Sequence, residues 1–419
     1  MRRVPIMVVA AVLVPLSAWP QGQPLGSEFR VNTYTPDNQN RSDVAADSAG
    51  NLVVVWNSRG DQDGSGYGIF GQRYAASGAP LGPEFRVNTF TTSFQTFPSV
   101  ASDSSGNFVV VWSSIHDGSA YGVFGQRYAS SGTPLGAEFR VNTYTTAVQI
   151  RPAVASDASG NFVIVWESDL QDGNSYGVFG QRYASSGAPL GPEFRVNTNT
   201  TYPQSHAAVA SDPSGNFVVT WQGLDVPASF GTLGQRFASS GVPLGSEFRV
   251  NTYTPQSQYY SSVASDAFGN FVVVWQSYGQ DGSVRGIFGQ RFAASGTPLG
   301  QEFRVNTYTT SFQHRPCVAS DAAGNFVVAW QSWQSVPLDG SGYGVIGQRY
   351  AGSGLPLGGE FRVNTTTNNT QNVPSVAADA AGNFVVAWQS YTQDGSAYGI
   401  YAQRFGPILP VELMRFSVE

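Results

Sequence analysis

The chain has 419 residues, a formal net charge of −6, 48 glycines, 27 phenylalanines, 19 tyrosines, nine tryptophans and one cysteine, and every one of its 22 basic residues is arginine. An acidic chain without lysine is a poor match for nucleic acid or for an anionic membrane surface. One cysteine excludes an intrachain disulfide, so stability has to come from packing.

Residues 1–18, MRRVPIMVVAAVLVPLSA, place two arginines before an apolar run with small residues after it, the pattern of a secretory signal peptide cleaved near Ala18. The run is too short for a membrane span, so no membrane insertion is expected after its removal. Loss of Arg2 and Arg3 takes the net charge from −6 to −8.

From residue 19 to 405 the chain repeats itself with a period of about 55 residues, in the range of propellers and solenoids. EFRVNT occurs seven times, with its Phe at 29, 85, 139, 194, 248, 303 and 361. A second anchor, GN(F/L)V(V/I)xW, places Trp at 56, 112, 166, 221, 275, 330 and 388, and (G/A)QR(Y/F) places Arg at 73, 127, 182, 236, 291, 349 and 404. Each copy predicts four short strands. In the copy after Phe85 these are a (Ser99–Asp103), b (Asn107–Ser113), c (Tyr121–Ala129) and d (Glu138–Thr143), β-branched and aromatic with glycine-rich punctuation and no helical period. The a–b turn, Asp-x-x-Gly-Asn, and the Asp-Gly of the b–c connections are hairpin signals. Strand b is apolar on both faces, as expected of a strand covered on both sides.

The chain opens on a d strand and closes on a, b and c. Seven complete sets result if the first d strand joins the last copy. This predicts an all-β, seven-bladed propeller with four antiparallel strands per blade, closed by the N-terminal strand, rather than a capped solenoid. The copies resemble the seven-bladed propeller repeats of secreted bacterial proteins, some of them attached to calcium-binding adhesins. That resemblance implies the fold and a secreted or cell-surface setting, and no particular reaction.

The recurring polar residues read as scaffold, with Glu84 and Arg86 on strand d pairing across to Arg73 on strand c. Cys317 takes a strand-a place held by Ser99, Ala153, Ala208, Ser262 and Ser375 in other copies, which favours a small buried residue over a nucleophile.

The copies differ on one face only. Phe to the following Trp is always 27 residues, whereas Trp to the (G/A)QR segment varies from 13 to 17, so length changes are confined to b–c loops. The d–a loops keep their length and carry a constant Gln followed by two variable residues that should ring the channel mouth. Candidate ligand-binding residues are therefore Arg41, Phe97, Arg151, His206, Tyr260 and Arg315, with Glu167 at the start of a b–c loop. Aromatic and arginine side chains there suit sugar stacking and carboxylate contacts.

The expected function is a non-catalytic binding or adhesion propeller, monomeric, presenting this face to a glycan or a cell-surface protein, with no catalytic residue assigned. One alternative is a glycan-active enzyme of sialidase-like type: three arginines at a propeller mouth resemble the carboxylate clamp of sialidases, and Tyr260 with Glu167 is the available nucleophile pair. A second is a calcium-dependent adhesin. No cofactor or metal is expected; calcium is the one candidate, at Asp61 and Asp63, and the full DxDxDG…E loop is absent. His116, His206 and His314 are scattered over the loops and do not make a metal site. Residues 406–419 leave the repeat and read as a tail, a remnant of a sorting or anchoring segment.

Overall fold

A computed structural model describes residues 23–60, 62–116, 118, 120–226, 229–333 and 342–407, the side chains of 225 and 226 excepted. The expected signal peptide, most of the tail and Asp61 lie outside the described residues. Seven antiparallel four-stranded sheets form the ring, and no helix among the described residues is long and apolar enough to cross a membrane. Blades are numbered here from the first complete a–b–c–d set, so blade 1 begins at Gln39.

Blade 2 shows how the repeat builds a sheet. Strand a runs Gln95–Ser102, b Phe108–Ser114, c Gly122–Tyr128 and d Phe139–Arg140. Strand a begins four residues earlier than its pattern suggested, because the constant Gln already pairs with Ser114. Strand d keeps two of its six expected residues. Beyond Arg140 the ladder is continued by a side chain: the Val123 amide donates to Asn142 Oδ1 at 2.7 Å, and the Val141 amide donates to the Val123 carbonyl at 2.8 Å. Short outer strands of this kind limit edge-to-edge pairing.

The a–b turn behaves as its sequence dictates. Asp103 Oδ1 accepts the amides of Ser105 and Asn107, Asp103 Oδ2 accepts Asn107 Nδ2, and Gly106 takes φ +81°. Only glycine adopts that conformation without strain.

The core lies between blades. All seven repeat tryptophans are fully buried. Trp112 packs with Val110 of its own sheet and with Val53, Val55 and Ile69 of blade 1, which is why strand b is apolar on both faces.

The ring closes through the N-terminal strand. Phe29 and Arg30 pair with Ala402 and Tyr401 of blade 7, and Val31 and Phe29 join a cluster shared by blades 1 and 7.

The repeated charges act between blades and not across strands, which corrects the expected Glu84–Arg73 pairing. Glu84 Oε2 accepts the Thr33 amide at 2.6 Å and its hydroxyl at 2.9 Å, on the neighbouring d strand. Arg73 donates to the Ser130 carbonyl of the next blade at 2.7 Å. Both links recur around the circle and close it through Glu28 to Thr365 and Arg404 to Ser77. Strand d is too short to present its Glu to strand c, so the side chain reaches outward.

Candidate functional site

The mouth is made by a bulge repeated in every blade. In blade 3 the register between strands a and b slips between Ile150 and Ala153, and Arg151, inside the bulge, has φ +54°. The same site in the other blades holds Arg41, Phe97, His206, Tyr260, Arg315 and Val373, all with φ from +46° to +55°. Non-glycine residues held there cost about 1–3 kcal/mol each and persist only where the surroundings enforce them.

A side chain from strand b of the preceding blade supplies that enforcement. The Arg41 amide donates to Gln389 Oε1 at 3.0 Å, Arg151 to Ser113 Oγ at 3.1 Å, His206 to Glu167 Oε1 at 2.7 Å, Arg315 to Gln276 Oε1 at 3.2 Å and Val373 to Gln331 Oε1 at 2.9 Å. The bulge turns each side chain toward a central cavity of about 530 Å³.

The structure thus brings Arg41, Phe97, Arg151, His206, Tyr260 and Arg315 to one place. The Arg41 guanidinium lies 3.9 Å from the Phe97 ring centre and that of Arg151 lies 5.1 Å from it, while Arg315 lies 5.1 Å from Tyr260. His206 meets Tyr260 edge to face at 4.7 Å. Burial, Arg315 and Arg151 together lower the Arg41 pKa, so the three cations feel one another. Of these three arginines, Arg151 alone has an ion pair among the described residues, to Glu167 Oε2 at 3.1 Å. His206 is pushed down to about 4 by burial and by Arg151 and Arg315, so it is neutral at physiological pH.

Glu167 is not a wall of the mouth. It is 1% exposed, on strand b, where other blades place Asn57, Ser113, Gln222, Gln276, Gln331 and Gln389. It fixes Arg151 and His206 from behind. Burial raises its pKa, against the lowering effects of Arg151 and the His206 amide. A carboxyl whose pKa is raised on folding stabilises the native state below its unfolded pKa, and that contribution is lost as pH rises through the folded value. Glu167→Gln keeps the acceptor for the His206 amide. Its melting temperature should gain on wild type as pH is raised from 4 to 8; a constant difference across that range would refute the assignment.

Asp43 is the carboxyl that lines the cavity, and the sequence reading passed over it. It occupies, in blade 1, the strand-a place held by Ser99, Ala153, Ala208, Ser262, Cys317 and Ser375, one acid among small residues. Its oxygens accept the amides of Val100 and Val44, each at 3.0 Å, and desolvation by the channel wall raises its pKa. Cys317 also faces this cavity and is half-buried, not sealed in the core as expected. Its Sγ contacts the Ala329 carbonyl at 3.4 Å, and burial pushes the thiol pKa up, the opposite of an activated nucleophile.

The remaining candidates lie elsewhere. Asp63 is buried and takes Asn88 Nδ2 at 3.3 Å, a loop bracket repeated by Asp172 with Asn197 and Asp281 with Asn306. Among the described residues no three His, Cys, Asp or Glu side chains gather as a metal site. His116 stacks between Phe90 and Phe124, and His314 contacts Arg285 at 2.7 Å, away from Glu167.

No family model and no curated protein matches this sequence. Among solved structures it is similar to a protein of unknown function from Dyadobacter fermentans (11% identity, TM-score 0.52, covering 78% of this chain and 98% of that one). It is also similar to the β-propeller domain of the Trilobed protease from Pyrococcus furiosus (9%, TM-score 0.50, 92% and 100%) and to Penicillium chrysogenum α-L-arabinanase complexed with arabinobiose (12%, TM-score 0.49, 74% and 92%). The fold is a β-propeller. The Pyrococcus domain is described as having an open velcro, whereas here the N-terminal strand closes the ring. The expected non-catalytic binding or adhesion role is corrected: these similar structures support the propeller fold and not that role.

Proposed function

We propose that the chain is a glycoside hydrolase acting on an acidic glycan at the channel mouth. The observation that carries this reading is the convergence of Arg41, Arg151 and Arg315 on one cavity that Asp43 also lines. Mutually repelling cations in a walled channel focus a field on anions. A sugar carboxylate placed among them gains charge-assisted hydrogen bonds and relieves that repulsion. Phe97 and Tyr260 turn ring faces to the guanidiniums and hold them in place by cation–π contact.

Asp43 supplies the proton. A carboxyl whose pKa is raised by burial keeps its proton to higher pH than a free one and can act as general acid. It gives its proton to the glycosidic oxygen as the bond to the anomeric carbon breaks. Water then adds to that carbon, and the proton it releases restores Asp43. Arg315 and Tyr260 border the sugar, while Glu167, out of reach of substrate, holds Arg151 and His206 in place. Export by residues 1–18, and retention through residues 406–419, belong to the same reading of a protein working outside the cell.

The test is hydrolysis of 4-methylumbelliferyl N-acetylneuraminate and of a nitrophenyl glucuronide, with calcium and with chelator. Asp43→Asn should lower kcat by about 10²-fold or more while the chain stays folded, its melting temperature falling modestly because one of the two amides that Asp43 accepts loses its acceptor. Arg315→Ala should act mainly through KM. Absence of cleavage of both substrates in both conditions would overturn the proposal.

A further inference from the structure

The tether that fixes each mouth residue is altered between blades 1 and 2. At the place where Glu167 and four glutamines reach the next blade, blade 1 has Asn57, one methylene shorter. Asn57 Nδ2 donates instead to Thr96 Oγ1 at 2.9 Å, and Arg41 Nη1 meets the same hydroxyl at 3.4 Å. A side cavity of about 240 Å³ opens there, between Asn40 and Asn57 on one side and Tyr67, Phe94 and Tyr121 around it. Arg41 and Phe97 line both this cavity and the central one. Two amide oxygens in its wall, Asn40 Oδ1 and Asn57 Oδ1, are buried without a hydrogen-bond partner. Such atoms are costly unless something satisfies them.

We infer that this side cavity is a subsite for one uncharged sugar ring, so that the substrate is an acidic sugar joined to a neutral one. The inference rests on the proposed hydrolysis at the mouth and names the class of chain cleaved there. The cavity is below the roughly 300–1,000 Å³ of sites for whole drug-sized ligands and suits a single ring. Hydroxyl groups of that ring donate to the two orphaned amide oxygens after a small side-chain rotation. Its apolar faces lie against Tyr67, Phe94 and Tyr121. Among the described residues no charged side chain other than Arg41 lines the cavity, and Arg41 stands at its junction with the mouth, so the acidic unit belongs to the centre and the neutral one to the side.

The experiment compares binding of N-acetylneuraminic acid, sialyllactose and lactose to the full chain by calorimetry and saturation-transfer NMR. Wild type should bind sialyllactose about tenfold tighter than the free acid, the effect of one or two added hydrogen bonds. Asn57→Gln, which restores the side chain found in four other blades, should bring that ratio to about one and remove saturation of the galactose protons. Phe94→Ala is a second variant that spares the core, since Phe94 is 45% exposed, and it should lower the ratio too. Equal affinity for the acid and sialyllactose in wild type, with no effect of Asn57→Gln, would overturn the subsite and leave the mouth standing. Weak lactose binding sensitive to Asn57→Gln, with no binding of free acid, would keep the subsite and overturn the mouth.

Discussion

Deletion of residues 24–33 should abolish the stable native fold. Those residues hold the outer strand of blade 7: the Leu25 amide on the Arg404 carbonyl, the pairing of Phe29 with Ala402, and Asn32 Oδ1 accepting the Ile400 amide at 2.7 Å. They also supply Glu28, whose bonds to Thr365 complete the circle of interblade links, and Val31, buried between blades 1 and 7. Without them strand c of blade 7 becomes an open edge and two blades lose their shared core, in a chain that has no disulfide to hold them. Circular dichroism melting reads the outcome. The deletion variant should show no cooperative transition at the wild-type temperature, and a melt superimposable on wild type would refute closure by this strand.

Trp221→Ala should destabilise the chain by about 3–5 kcal/mol, the usual range for removing a fully buried aromatic side chain. The indole is 0% exposed, packed against Val165, Val178 and Val196 of blade 3 and Phe217, Val219 and Leu233 of its own blade. Its N–H donates to Gln204 Oε1 at 2.8 Å, so truncation leaves both a cavity and an unsatisfied acceptor. Urea denaturation should show the midpoint falling with little change in slope. Trp221→Phe should recover part of the loss. A near-zero change for the alanine variant would mean that blades 3 and 4 are not joined by this cluster.

The mouth shows where reading by repeats works and where it fails. Arg41, Arg151 and Arg315 were visible because they break a sevenfold pattern at a site that leads into strand a. Asp43 breaks the pattern two positions on, one acid in a column of small residues, but a repeat pattern does not show that this column lines the cavity. Glu167 is legible as the single Glu outside the EFR motif and the C-terminal tail, yet the same column holds Gln in four blades, and that column describes a tether to the next blade. Asn57 belongs to it as well. Its effect depends on one missing methylene across an interblade gap, which no pattern along a single strand encodes.

The sequence by itself determined the blade count, the closure by a leading d strand, the turn chemistry and the face that varies, because each follows from local periodicity and from counting copies. The tertiary structure alone decided what the repeated charges do. Glu84 and Arg73 are adjacent in the predicted sheet, but a two-residue d strand sends Glu84 to Thr33 and Arg73 to Ser130, each on a different blade. It also decided which of two variable residues faces the channel, since a bulge with positive φ turns Arg151 inward beside Ile150. Both outcomes depend on contacts between blades, 51 and 57 residues apart for the charges and 38 for Arg151 with Ser113, and period and propensity carry no information about how neighbouring sheets meet.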